Sequence, residues 1–136
     1  EHIIGHIDHS SNMFLQVVDE KDLKGNYPET SGSAMISYSF MKGERLGILP
    51  EEYGILGSKI IDGIKERYLS VRNDNIELNG ICASAGLGPG PDKHNRKDRD
   101  GTPEYYLREK QMTDNQHGAA ICMMAVSEQI LREKFD

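Results

Sequence analysis

Long apolar runs are missing from this sequence. The longest, Gly118–Val126, is about half of what a helical membrane span needs. Basic charge is in deficit: 16 Lys and Arg stand against 22 Asp and Glu, a formal net charge of −6. Nucleic acid is therefore excluded as a partner class, because phosphate binding needs a basic footprint. The one basic cluster, Lys93–Arg99, is interrupted by acids, with Asp92, Asp98 and Asp100 in or beside it. Cysteine is scarce. Cys82 and Cys122 lie on different elements without a C-x-x-C spacing, which leaves two buried thiols as the simplest account. The opening Glu1-His2-Ile3-Ile4 has no basic region and no cleavage pattern, so no signal peptide is visible in it. With no initiator Met, the chain is expected to be a processed or cut-down piece of something longer.

What is present alternates. Residues 2–9 read as the tail of a helix, and Asn12–Asp19 as a short strand rich in β-formers. A helix is expected from Ser31 to Leu46, apolar on several sides at once through Ala34, Met35, Ile36, Tyr38, Phe40 and Met41. Gly47 suits a helix end and Pro50 a helix start. The next helix, Glu51–Tyr68, carries one stripe: Tyr53, Leu56, Ile60, Ile61, Ile64 and Tyr68. Glu77–Ala83 reads as a strand, paired with Leu69–Arg72 across Asn73-Asp74-Asn75. Ser84–Pro103 is a long loop rich in glycine, proline and charge, and Tyr105–Leu107 a short extended segment. The last helix, His117–Lys134, begins apolar all round and ends charged. Helices buried on many sides alternating with a single-stripe helix describe inner and outer helices of a two-layer array. Such inner helices need neighbours on both sides, more than 136 residues supply.

Most motifs fail on inspection. His2, His6 and His9 fall at one-face helical spacing, a geometry zinc accepts. No His-Glu-x-x-His pattern accompanies them, so an exposed face is expected and no metal. The loop Gly86–His94 has three close glycines but no helix after it, so it is no phosphate cradle. A calcium loop turning at Gly101 would put Arg96 and Leu107 at ligand positions. No Ser/His/Asp triad is legible, and Gly32-Ser33-Ala34 is no nucleophile elbow. Asp19, Glu20, Asp22 and Glu29 are expected near the site, but acids on an acidic surface point weakly to glycosidase chemistry.

Two helix entries stand out. "ETSGSAM", Glu29–Met35, offers Thr30 or Ser31 as a cap, and "DNQHGAA" opens the last helix at Asn115 or His117. Helix N-termini leave N–H groups unpaired and partly positive, so a cleft between two of them accepts anions.

Around these residues the sequence resembles glycoside hydrolase family 105, the unsaturated rhamnogalacturonyl hydrolases, related to the unsaturated glucuronyl hydrolases of family 88. The matching residues are Phe14, Gln16, Val17, Val18, Asp19, Gly25, Asn26, Glu29–Met35, Gly43, Arg45, Gly47 and Leu49, followed by the Ala- and Met-rich helix entered at "DNQHG". The resemblance implies an all-α fold with short β-ribbons in the connections. Residues 1–136 would form the C-terminal portion of a single (α/α)6 barrel domain. The rest of the barrel, or another copy of the chain, would complete it.

The implied substrate is an unsaturated uronyl oligosaccharide of pectin. The implied chemistry is hydration of its C4=C5 double bond, in which an Asp protonates the sugar and activates water. That Asp falls on no residue of this chain, so no catalytic residue is assigned here. No cofactor is implied. The resemblance gives substrate contact to Thr30, Ser31, Gly32 and Ser33, with Gln16 and His117. The chain has no Trp, and Met13-Phe14 stands where the family often carries one. The source implied is a bacterium, with cytoplasm and periplasm both open. The rival reading is a non-catalytic helical carbohydrate-binding or interaction module, and a third is a purely structural fragment.

Overall fold

The stripe of Ile60, Ile61 and Ile64 is almost wholly buried, at 0–2% exposure, with Tyr53, Leu56 and Tyr68 packed against the same core. It belongs to a computed structural model that describes residues 3–88 and 99–135, without the side chain of residue 135. Among the described residues, four helices carry the fold: α1 (Thr30–Arg45), α2 (Glu51–Tyr68), α3 (Pro103–Arg108) and α4 (Gln116–Phe135). Six short strands among them form three antiparallel ribbons. These pair β1 (Ile7–Asp8) with β2 (Met13–Phe14), β3 (Leu69–Arg72) with β4 (Asn75–Leu78), and β5 (Ile81–Cys82) with β6 (Gln111–Met112).

α1 packs along α2 on one side and along α4 on the other, which explains why its apolar residues do not form one stripe. Gly57 of α2 permits the close approach to α1. A Cβ there would lie 2.7 Å from Met41 Cγ and 2.9 Å from the Ser37 carbonyl oxygen. The Ser37 hydroxyl donates to the Gly57 carbonyl at 2.7 Å. Across the other contact, Arg45 donates to both carboxylate oxygens of Glu128 at 2.7 and 2.8 Å, and Lys42 lies 3.2 Å away.

Several expected elements come out differently. Residues 3–8 are a 3-10 turn, Ile3–His6, followed by β1, so the helical face for three histidines does not form; His2 lies outside the described residues. The strand expected over Asn12–Asp19 stops at Phe14. Beyond it, backbone pairing shrinks to a Leu15–Pro28 bridge and the Gln16 N–H on the Tyr27 carbonyl at 2.8 Å, and at Val17 the Asn26 side chain takes the place of a partner strand. It donates to the Val17 carbonyl at 2.8 Å and accepts from the Val17 N–H at 3.1 Å. The strand expected over Glu77–Ala83 divides into β4 and β5 at Asn79-Gly80. Tyr105–Leu107 is helical, because Thr102 caps the Tyr105 N–H at 3.2 Å and Pro103 opens α3. The β3–β4 turn falls where expected, with Asn73 and Asp74 both at positive φ. Half of the long glycine-rich loop, 89–98, lies outside the described residues. Among those described, no helix is long and apolar enough to cross a membrane. Both cysteines are free and buried.

Candidate functional site

The N-termini of α1 and α4 open on one cleft. Its two adjoining halves have volumes of about 280 and 260 Å³ and share Gln16, Glu29, Gly32 and Ala85. The larger half is walled by Phe14, Val18, Ile36 and Tyr106. The smaller is more polar, with Ser31, Ser84, Cys82 and His117. β2 delivers Gln16 just past its end, α1 delivers residues 31–33, and the first turn of α4 delivers His117.

The cap of α1 corrects the sequence reading. It is neither Thr30 nor Ser31 but Glu29, in extended backbone at φ −100° and ψ 126°. Its Oε1 accepts from the Ser31 N–H at 3.1 Å, the Ser31 hydroxyl at 2.8 Å and the Cys82 N–H at 2.9 Å. Its Oε2 accepts from the Gly32 N–H at 2.6 Å. The partial positive charge of this helix end is thus already met by the chain's own carboxylate. At the other entry, Asn115 Oδ1 accepts the His117 N–H at 3.2 Å.

The six expected contact residues divide. Gln16, Ser31, Gly32, Ser33 and His117 line the cleft. Thr30 does not appear in either half. It is wholly buried, donating its hydroxyl to the Asn79 carbonyl at 2.7 Å and its N–H to the Gly80 carbonyl at 3.0 Å. Thr30 therefore fastens α1 to the β4–β5 connection. Ser33 is also wholly buried, and its hydroxyl is held by the Phe14 backbone. Gln16 keeps an adaptable amide at the surface of the cleft, with only a weak contact of 3.4 Å to Cys82 Sγ. His117 is exposed.

Among the acids expected nearby, only Glu29 reaches the cleft; Asp19, Glu20 and Asp22 are exposed and line neither half. Two buried groups lie behind it. Burial, with Cys82 and Glu29 beside it, raises the Tyr27 phenol well above its ordinary value. Burial, with the Glu29 charge adding, pushes the Cys122 thiol up to about 11. Both stay neutral at ordinary pH. Among the described residues, no group of His, Cys, Asp and Glu could hold a metal ion.

The roles of two wall residues are not legible in the sequence. Glu29 is expected near the site only as one of four acids on an acidic surface, and glutamate is not among the preferred caps. Tyr106 falls in a segment expected to be extended. Thr102-Pro103 was the available signal for the helix that carries it.

A larger groove of about 620 Å³ lies elsewhere, between α2, α4 and the β3–β4 ribbon, lined mainly by Ile61, Ile64, Leu69, Ile76 and Met123. It is an apolar face with few converging polar groups.

The family profile described as Glycosyl Hydrolase Family 88 matches residues 3–132. Two curated relatives are 36% identical over 126 residues, covering 89% of this chain: Protein Atu3128 of Agrobacterium fabrum and the 24.9 kDa protein in the picA locus of Rhizobium radiobacter. The chain spans about half the length of each, 52%. Among solved structures, a family 105 glycoside hydrolase of C. acetobutylicum superposes with a TM-score of 0.84 at 37% identity, over 95% of this chain and 34% of that one. A possible family 105 member from Salmonella enterica serovar Paratyphi A superposes with a TM-score of 0.73 over 96% of this chain and 29% of that one. At 19% identity it supports the fold alone. The architecture is that of part of an (α/α)6 barrel, and the inner-and-outer alternation of the sequence reflects it.

Proposed function

Since the chain belongs to glycosyl hydrolase family 88, we propose that it forms one wall of the saccharide cleft in an unsaturated rhamnogalacturonyl hydrolase-like enzyme. The substrate class is an unsaturated uronyl oligosaccharide. The observation that carries this reading is the cleft itself: five of the six residues picked from the sequence line it. Its two halves have the chemistry a sugar needs. The apolar half offers a Tyr106 ring to a sugar face, and the polar half offers the Gln16 amide and the His117 imidazole to hydroxyls.

The reaction of such enzymes adds water across the C4=C5 bond of the uronate. A proton goes to the double bond, water adds at the neighbouring carbon, and the resulting hemiketal opens and releases the second sugar. A positioned acid must supply the proton. Glu29 is unsuited, since four donors hold its carboxylate. No other carboxylate lines this cleft among the described residues. The family resemblance puts the acid in a part of the barrel outside this chain.

The test uses unsaturated galacturonyl-rhamnose disaccharide and this chain. Titration followed by amide chemical shifts is expected to perturb Gln16, Gly32, Tyr106 and His117. Loss of the conjugated uronate absorbance is not expected from the chain alone. Turnover by the pure chain would return the acid to this segment. Absence of any shift from a folded chain would remove the saccharide reading.

A further inference from the structure

Glu29 lines both halves of the cleft while being only 6% exposed. Its two oxygens are not equivalent. Oε1 is saturated by three donors, from Ser31 N–H, Ser31 hydroxyl and Cys82 N–H. Oε2 has one, the Gly32 N–H. Each carboxylate oxygen offers about two acceptor positions, so Oε2 keeps capacity that Oε1 lacks.

Gly32 decides whether that capacity is reachable. It also lines both halves, and a Cβ built on it would stand 3.1 Å from Glu29 Oε2 and touch nothing else within 4 Å. The missing side chain leaves open the space in front of the oxygen. A buried anionic acceptor with an open approach favours a donor such as a hydroxyl and repels an anion.

We infer that Oε2 of Glu29 accepts a hydroxyl of the bound sugar, making Glu29 a specificity-determining residue that excludes a carboxylate from the α1 corner. This reverses the sequence-based expectation that the open end of α1 attracts the uronate. The helix end is filled from within, and the filler presents the opposite charge to the ligand. The inference rests on the saccharide reading above.

The experiment compares the wild-type chain with Gly32→Ala, using two probes: unsaturated galacturonyl-rhamnose disaccharide and its methyl ester. Gly32 lies in the first turn of α1 with no positive φ, so alanine suits the backbone there, and a matching thermal melt verifies the fold. The new methyl stands over Oε2. The expected result is a roughly tenfold rise in Kd for both probes by the same factor, because the lost contact is to a hydroxyl common to both. Unchanged affinity would overturn the role of Oε2. A loss confined to the free acid would overturn it differently, placing the carboxylate at this corner. Binding of neither probe by folded wild-type chain would overturn the saccharide reading and this contact with it.

Discussion

The Phe14 N–H donates to the Ser33 hydroxyl oxygen at 2.9 Å, and the same hydroxyl points back to the Phe14 carbonyl at 3.4 Å. One side chain of α1 thus replaces a missing ladder partner at the end of β2. Both residues are buried, at 0 and 2% exposure. Ser33→Ala would strand a buried N–H, which costs about 1–3 kcal/mol. A lower urea midpoint is expected, while the folded chain keeps its disaccharide affinity within about threefold, since Kd follows contacts and not the melt. Lost affinity at unchanged stability would instead make Ser33 a ligand contact, as the family resemblance had implied.

Gly57 gives a second structural test, remote from the cleft. A methyl group there meets Met41 Cγ and, less forgivingly, the Ser37 backbone oxygen. The side chain of Met41 can swing, but a backbone carbonyl in mid-helix cannot. Gly57→Ala should therefore destabilise the chain by about 1–3 kcal/mol, as overpacked cores do. The gain in helix propensity, about 1 kcal/mol, offsets part of this. An unfolding midpoint equal to wild type would mean that α1 and α2 separate easily.

The three long helices were legible because their signals are local. The α2 stripe needs only its own residues, and its bounds Glu51–Tyr68 match the periodicity. The α1 cap was not legible, because it depends on contact across the chain. Cys82 supplies the third donor to Glu29 Oε1, and no pattern near residue 29 announces it. The truncated β2 has a similar cause: Asn26 competes for the Val17 backbone from nine positions away. The division of Thr30 from its neighbours follows from Asn79 and Gly80. Propensity identified the segment "ETSGSAM" as important, and only the tertiary partners separate its fastening residues from its cleft residues.

Acid should weaken the α1–α4 contact. The Arg45 hydrogen bonds, with Lys42 assisting, hold the Glu128 carboxyl below its ordinary value of 4.5. A depressed folded-state pKa means stability that is present above the unfolded value and lost as pH falls through the folded one. Unfolding free energy should thus hold steady from pH 7 towards 5 and decline below about 4.5. Glu128→Gln should flatten this group's share of the decline and cost about 2 kcal/mol at neutral pH. Identical pH profiles for the two proteins would place the acid sensitivity elsewhere.

The apolar groove beside α4 carries the last prediction. Met123 and Ile76 are each 65% exposed there, Leu69 is 39% exposed, and further along α4 Met124, Ile130 and Leu131 are 37–47% exposed. Large exposed apolar patches mark interaction surfaces. The α4 sequence, apolar all round at its start, fits a helix with neighbours on both sides, yet only the α1 and α2 side is covered here. The matched family 105 structure is about three times as long, this chain covering 34% of it. We propose further helices of the same barrel as the occupant, with a second copy of the chain as the substitute when they are absent. Sedimentation velocity at tens of micromolar should then report self-association of the chain alone. Met123→Lys with Ile76→Lys should shift it towards monomer, because two charges in the groove cannot be buried without partners. Helical content should be unchanged in the variant, since both side chains are mostly outside the core. A well-behaved wild-type monomer with high thermal stability would show that the groove needs no cover.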